Sequence, residues 1–221
     1  MRIAVTPLKM RSERVPGKNF RELCGRPLYE WTLEPLRQLR EEGLIDEIGV
    51  YGEPAIMDHV PSDVVLYPER TVMEIQDSNR MFRDMLAAVP EKATWCCIKN
   101  ATSPFIRVDS IRTAMNAVIA SGFDSAASMQ AVRGRLWNCH YQSINHDPRT
   151  CPPTQTQAPI FIESDGFWIL RRTFMREHGR RIGFHPWFQE VRGTELVDID
   201  TEADWELAEH VGAGLCQKPS S

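Results

Sequence analysis

Short apolar runs alternate along this chain with longer stretches whose apolar positions recur at helical spacing. Ile3–Val5 is the first short run, and it reads as a strand. From Leu28 to Glu42 the apolar positions are held by Trp31, Leu33, Leu36 and Leu39, and Gly43 follows directly. A glycine there can take the left-handed backbone that ends a helix, so the spacing predicts a helix over 28–42. The runs IDEIGVYG at 45–52 and DVVLY at 63–67 read as further strands. A second helix is predicted from about Glu74 to Ala88, stopped by Pro90, which has no amide to donate. ATWCCIKN at 93–100 has the near-continuous apolar pattern of a strand buried on both faces. Val108–Ser121 reads as a third helix, with Asp109 placed to cap its open amides and Gly122 at its end, followed by a strand over Ser125–Ala131. This β-α-β rhythm predicts an α/β fold, doubly wound about a mostly parallel sheet with helices on both faces.

Residues 133–157 break the rhythm. They are rich in Asn, His, Thr, Pro and Gln, a composition suited to a flap, a lid or an arm across a subunit partner. The expected organisation is a single domain over 1–221, with 133–170 as a dimerisation or acceptor-lid insertion.

Composition excludes several classes. With 42% hydrophobic and 25% charged residues the chain is an ordinary globular one, and its formal net charge of −4 argues against a general nucleic-acid binder. No apolar run approaches the roughly 18 to 20 residues of a membrane span, and the N-terminus has no signal-peptide core, so a cytoplasmic protein is expected. Six cysteines without a C-x-x-C pair read as buried free thiols.

Charge is uneven along the chain. Between Lys9 and Arg26 there are six basic residues against two acidic ones, in the loop that leaves the first strand. Ligands of open parallel sheets sit beyond the carboxyl ends of the strands, so this loop is placed for an anion. Lys9, Arg14 and Lys18 offer charge, Ser12 a hydroxyl donor, and the Pro16-Gly17 turn directs Lys18 and Asn19 back toward the same space. The opposite case is ELVDIDTEADWELAE at 195–209, with seven acidic residues and no basic one. Thr201 to Asp204 resembles a helix capping box, which accounts for Glu202 and Asp204 but not for Asp198. Asp198 and Asp200 alternate along an extended segment, so two carboxylates can face one hard cation, for which Mg²⁺ is the natural choice.

Five segments, in order, resemble the acylneuraminate cytidylyltransferases, which make CMP-activated acid sugars. TPLKMRSERVPGKN is similar to that family's I-P-A-R-x-G-S-K-x-x-P-x-K-N: Pro7, Ser12, Pro16, Lys18 and Asn19 match and Lys9 stands for Arg. Met10 and Arg11 occupy positions where the family usually has a Gly, and Glu13 replaces a Lys. YPERTVMEIQDSN carries Arg70 as the counterpart of an Arg near the base. KNATSPFIR at 99–107 resembles L-Q-P-T-S-P-L-R, with Thr102, Ser103, Pro104 and Arg107 matching and Asn100 in place of Gln. TQTQAPIFIESDGFWILRRT resembles the family's Q-x-L-P-x-x-x-x-N-G region, with Gln157, Pro159 and Gly166 matching and Asp165 replacing Asn. The acidic segment resembles the closing D-I-D-x-x-x-D-x-x-x-A-E.

The resemblance implies a Rossmann-like nucleotidyltransferase that moves CMP from CTP to a 2-keto-3-deoxy acid sugar and releases pyrophosphate. It implies nucleotide binding by Pro7, Lys9, Ser12, Arg14, Lys18, Asn19, Arg70, Asn100 and Thr102. Lys18, Asp198 and Asp200 would be catalytic, with Asp198 and Asp200 holding Mg²⁺, and Gln157 and Asp165 would meet the acceptor. The implied partners are CTP, a small anionic acceptor and a second copy of the chain. Asp for Asn at 165 exchanges an amide for a charge, which disfavours a nearby acceptor carboxylate unless a cation intervenes. Three alternatives stay open: a cytidylyltransferase with a phosphonate or phosphate acceptor, a noncatalytic nucleotide-binding relative, and a structural module in which the acidic segment only caps a helix.

Overall fold

The computed structural model describes residues 1–69 and 77–216. In chain order its elements are β1 (Arg2–Leu8), a small hairpin of β2 (Glu22–Leu23) and β3 (Arg26–Pro27), α1 (Leu28–Glu41), β4 (Glu47–Gly52), β5 (Val65–Pro68), α2 (Ser78–Ala88), β6 (Trp95–Lys99), α3 (Val108–Ala120), β7 (Ser125–Val132), β8 (Ile160–Arg171), α4 (Arg172–His178), β9 (Pro186–Glu190) and α5 (Glu202–Cys216). The main sheet has the order β5-β4-β1-β6-β8-β7-β9. β5, β4, β1 and β6 pair in parallel, β8 runs antiparallel to both neighbours, and β9 is parallel to β7. The sheet is therefore mostly parallel, as the rhythm of the sequence predicts.

Strand alternation sorts the core into two layers. Ile3 and Val5 of β1 face Phe82 and Met85 of α2 and Met175 of α4. Ala4 and Leu8 face the other way, among Leu33, Leu36 and Leu39 of α1 and Ile111 and Met115 of α3. Each of the larger buried side chains among these contributes roughly 1.5–3 kcal/mol. A third, smaller cluster joins Val15, Leu23, Leu28, Trp31, Phe105, Val197, Ile199 and Trp205. It fastens the first loop and its hairpin to the segment before α5, so it decides where the two charged regions of the sequence meet. Among the described residues no helix is long and apolar enough to cross a membrane.

Helix boundaries depart from expectation in instructive ways. α2 begins at Ser78, where the Asp77 side chain accepts from the Asn79 amide; positions 74–76 of the predicted start lie outside the described residues. Asp109 does not cap α3. It sits inside the first turn, points to solvent and pairs with Arg112. The cap comes from 88 residues away: buried Glu195 accepts from the Arg107 amide at 3.0 Å through Oε1 and from the Arg107 guanidinium at 2.9 Å through Oε2. Oε1 also takes the Ser110 hydroxyl at 2.6 Å.

Residues 133–157 are irregular as expected, with one isolated bridge, Trp137 to Ser143, and a short 3-10 turn at Thr154–Thr156. The range 133–170 includes most of β8, whose apolar run Phe167–Leu170 is buried in the main sheet. All six cysteines are free, but only Cys96 and Cys97 are buried. The expectation of buried thiols fails for Cys24, Cys139, Cys151 and Cys216, which lie in the hairpin, the irregular segment and a helix end, where no layer covers them.

Candidate active site

Beyond the carboxyl end of β1 the chain turns through residues 9–21. Gly17 takes φ 65°, a left-handed conformation that glycine adopts without steric cost, and starts the short turn that carries Lys18 and Asn19. The Asn19 side-chain amide donates to the Lys9 carbonyl at 3.0 Å and closes the loop on itself. Ser12 Oγ accepts from the Val15 amide at 3.4 Å. Asn19 thus shapes the loop from inside, Lys9 is exposed, and Pro7 lies in β1 opposite Tyr51 of β4.

The loop's cations meet the acidic segment 186 residues later. Arg14 grips Asp200 with two parallel hydrogen bonds, at 2.9 and 3.1 Å. Lys18, largely buried, donates to the Ile199 carbonyl at 2.5 Å, and its ammonium is 3.6 Å from Asp200 Oδ1. Burial holds the Lys18 pKa below its ordinary value, against the opposing pull of Asp200 and Asp198. Thr201 and Asp204 form the predicted capping box: Asp204 Oδ2 accepts from the amides of Thr201 and Asp200 at 2.8 and 3.1 Å.

The segment after β6 supplies the floor. The Ile199 amide donates to the Thr102 carbonyl at 2.9 Å, and Ser103 Oγ donates to Asp198 Oδ1 at 3.2 Å. Burial raises the Asp198 pKa and the charge of Asp200 adds to it, while hydrogen bonds from the Thr102 and Ser103 side chains oppose the rise. Asn100 donates its side-chain amide to the Asp165 carbonyl at 2.9 Å and its backbone amide to the Gly166 carbonyl at 3.1 Å.

Asp165 is held unusually. Its φ is 55°, uncommon for a residue with a side chain. The next residue is Gly166, where a Cβ would lie 2.6 Å from Ile106 Cδ1 and 3.0 Å from Ser128 Oγ and force those side chains to move. Asp165 stands on the open side of the group, yet enough protein surrounds its carboxyl for desolvation to raise the pKa. The charges of Asp198, Glu163 and Asp200 raise it further. Backbone strain at a carboxylate in the field of three others is the kind of feature found at functional sites.

Lys18, Arg14, Asn100, Thr102, Asp165, Asp198 and Asp200 are therefore one neighbourhood. Gln157 is not tied to it by any hydrogen bond among the described residues; its amide nitrogen and oxygen are both buried without a partner. Arg70 lies outside the described residues. Asp198 and Asp200 act on each other through their charges and carry the hard carboxylate oxygens that suit a Mg²⁺ ion, and no cluster of three or more His, Cys, Asp or Glu among the described residues is arranged to hold a metal alone. A cation there would need oxygens from a bound phosphate or water, which suits a nucleotide site.

Sequence reasoning missed two residues. Glu195 was legible only as one of many acids. Lys99, at the end of β6, is fully buried and donates to the carbonyls of Ser103 at 2.9 Å and Asn100 at 3.4 Å and to Thr32 Oγ1 at 3.5 Å. A lysine closing the apolar run WCCI was the available signal.

The profile of the cytidylyltransferase family matches residues 3–218. N-acylneuraminate cytidylyltransferase A of Danio rerio is 23% identical over 209 residues, 90% of this chain and 47% of that protein. N-acylneuraminate cytidylyltransferase of Oncorhynchus mykiss is 25% identical over 209 residues, with the same coverage of 90% and 47%. The chain thus spans about half the length of the curated relatives it matches. Among solved structures, CMP:2-keto-3-deoxy-manno-octonic acid synthetase complexed with CTP superposes with a TM-score of 0.68 at 15% identity, over 97% of this chain and 99% of that one. 4-Diphosphocytidyl-2C-methyl-D-erythritol synthase from Anaerococcus prevotii superposes with a TM-score of 0.67 at 11% identity, over 96% and 98%. These likenesses share the Rossmann-like fold. With its family profile matched from the first strand to the last helix, the chain belongs to the cytidylyltransferase family.

Proposed function

We propose that this chain transfers CMP from CTP to a 2-keto-3-deoxy acid sugar of the sialic-acid type and releases pyrophosphate. The observation that carries the reading is the meeting of Arg14 and Lys18 with Asp200 at the carboxyl edge of a parallel sheet. Cations and carboxylates from opposite ends of the chain are what a triphosphate and a divalent ion together require.

The reaction forms a bond between an acceptor hydroxyl oxygen and the α-phosphorus, gives that hydroxyl's proton to a carboxylate of the Asp198–Asp200 pair or to solvent, and breaks the bond from phosphorus to the bridging oxygen of pyrophosphate. The protein's task is charge stabilisation and positioning. Lys9, Ser12, Arg14 and Lys18 would hold the triphosphate and neutralise the departing pyrophosphate. Asn100 and Thr102 would border the base, since an amide and a hydroxyl both donate and accept. Asp198 and Asp200 would hold Mg²⁺, which supplies positive charge beside the phosphates. Arg14 bonds both oxygens of Asp200; bound phosphate would compete for that guanidinium and free the carboxylate. Asp165 and Gln157 would face the acceptor, Gln157 offering an amide whose hydrogen bonds are unmade. We also propose a homodimer through residues 133–162, where Trp137, Tyr141, Ile144, Phe161 and Ile162 are exposed.

Pyrophosphate release tests the reading, measured with each of the four nucleoside triphosphates and Mg²⁺ against ulosonic acids and phosphonates. CTP with an ulosonic acid is the expected pair. Release only with a phosphonate or phosphate would move the acceptor class, and CTP binding without release from any pair would make the chain a noncatalytic relative.

A further inference from the structure

Lys99 is a lysine without solvent exposure in the middle strand of the sheet, and among the described residues no carboxylate pairs with it. A buried ammonium is costly, and a leucine or methionine would fill the same space at no electrostatic cost. Its three donors have three acceptors: the Ser103 carbonyl at 2.9 Å, the Asn100 carbonyl at 3.4 Å and Thr32 Oγ1 of α1 at 3.5 Å. Two of these belong to the segment 100–103, which has no regular structure to hold its carbonyls. That segment turns its other side to the acidic strand-like stretch: Thr102 accepts from the Ile199 amide at 2.9 Å and Ser103 donates to Asp198 at 3.2 Å.

We propose that Lys99 is a positioning residue of the active site, fastening segment 100–103 from inside the sheet so that the segment in turn fastens Asp198 and Ile199. Burial suits this role, because a hydrogen bond shielded from water is not exchanged for one to solvent. Lys18 also donates to the Ile199 carbonyl, so that residue is held from both sides, by its amide through the Lys99 pedestal and by its carbonyl from the first loop. The consequence for nucleotidyl transfer rests on the function proposed above; the mechanical linkage does not.

Native-state amide hydrogen exchange on the full chain, wild type against Lys99→Met, tests the linkage. Exchange of Ile199 and of residues 100–103 is expected to rise by about tenfold or more while Cys97 and Ile169 in the sheet interior keep their protection. Unchanged protection at Ile199, or a loss spread evenly over β6 and β8, would overturn the proposal, the second because it marks a merely structural lysine. Should the variant fail to fold, lysine side-chain ¹⁵N NMR of the wild type, recorded at a pH well below 7 so that the amine is protonated, decides: one ammonium shielded from solvent and coupled across its hydrogen bond to the Ser103 carbonyl is expected, and its absence sinks the idea. In turnover with CTP, Lys99→Met is expected to lower kcat by about tenfold with KM for CTP within about threefold. A wild type that releases no pyrophosphate would defeat the functional reading alone and leave the exchange result to judge Lys99.

Discussion

Two irregular stretches of this protein, residues 9–21 and residues 133–159, are anchored in opposite ways. The first is bonded to partners far along the chain: Arg14 and Lys18 to positions 200 and 199, and Arg21 to Glu202. The second closes on itself. Arg135 donates to the carbonyls of Cys151 and Pro152, Asn145 donates to the Gly134 carbonyl, and Asp147 pairs with Arg149. Neither is built on long helices or strands, yet one is tied to the segment that leads into α5 and the other mainly to itself. Long-range polar bonds are the mark of a loop that must present side chains at fixed distances; a self-closed segment is free to serve a surface.

The sharpest way to break this contrast is Asp200→Asn. It removes the carboxylate that Arg14 and Lys18 share, and turnover is expected to fall by about a thousandfold or more while far-UV circular dichroism stays native. Near-normal turnover would mean that the first loop's distant bonds are structural only. Next in size is Glu195→Ala. It strips the cap from α3 and leaves two amide or hydroxyl donors without a buried acceptor, an expected loss of about 2–4 kcal/mol in urea denaturation. A loss below about 0.5 kcal/mol would show that water replaces the cap.

A smaller effect concerns pH. Burial pushes the Lys99 pKa from its ordinary 10.5 down to about 7. Below that value both folded and unfolded chains carry the charge and the folded state bears its full cost; between there and the ordinary value the unfolded chain binds the extra proton. Stability from this group therefore rises with pH across that window, and Lys99→Met is expected to flatten the rise in denaturation midpoints measured at its two ends. The smallest effect is expected from Arg149→Ala, whose exposed pair with Asp147 lies within the self-closed stretch. Both the melting temperature and the turnover should stay at wild-type values, and a fall in turnover would tie that stretch to the site after all.

Legibility followed the range of the interactions. The elements of the doubly wound sheet were readable because strand and helix periods are written in neighbouring residues, as in IAV, DVVLY and the spacing of Trp31, Leu33, Leu36 and Leu39. The capping box at Thr201–Asp204 was readable for the same reason. The cap of α3 was not, since Asp109 satisfies the local pattern and Glu195 wins only through a turn that brings it over Arg107. Lys99 was hidden too: one lysine at the end of an apolar run is ordinary in sequence, and only packing beneath α1 makes it a buried donor to segment 100–103. Asn19 matched a motif, and only the structure shows its side-chain amide donating to the Lys9 carbonyl.

By itself the sequence determined the alternation of strands and helices, the uneven charge of its two ends and the order of the motifs, because each depends on periodicity or composition over a few residues. Only the tertiary structure decided that the cationic loop and the Asp-Ile-Asp stretch share one place. That meeting depends on sheet order and on the small cluster of Val15, Ile199 and Trp205, contacts between residues nearly the whole chain apart, and no local pattern encodes which distant partner a buried side chain will find.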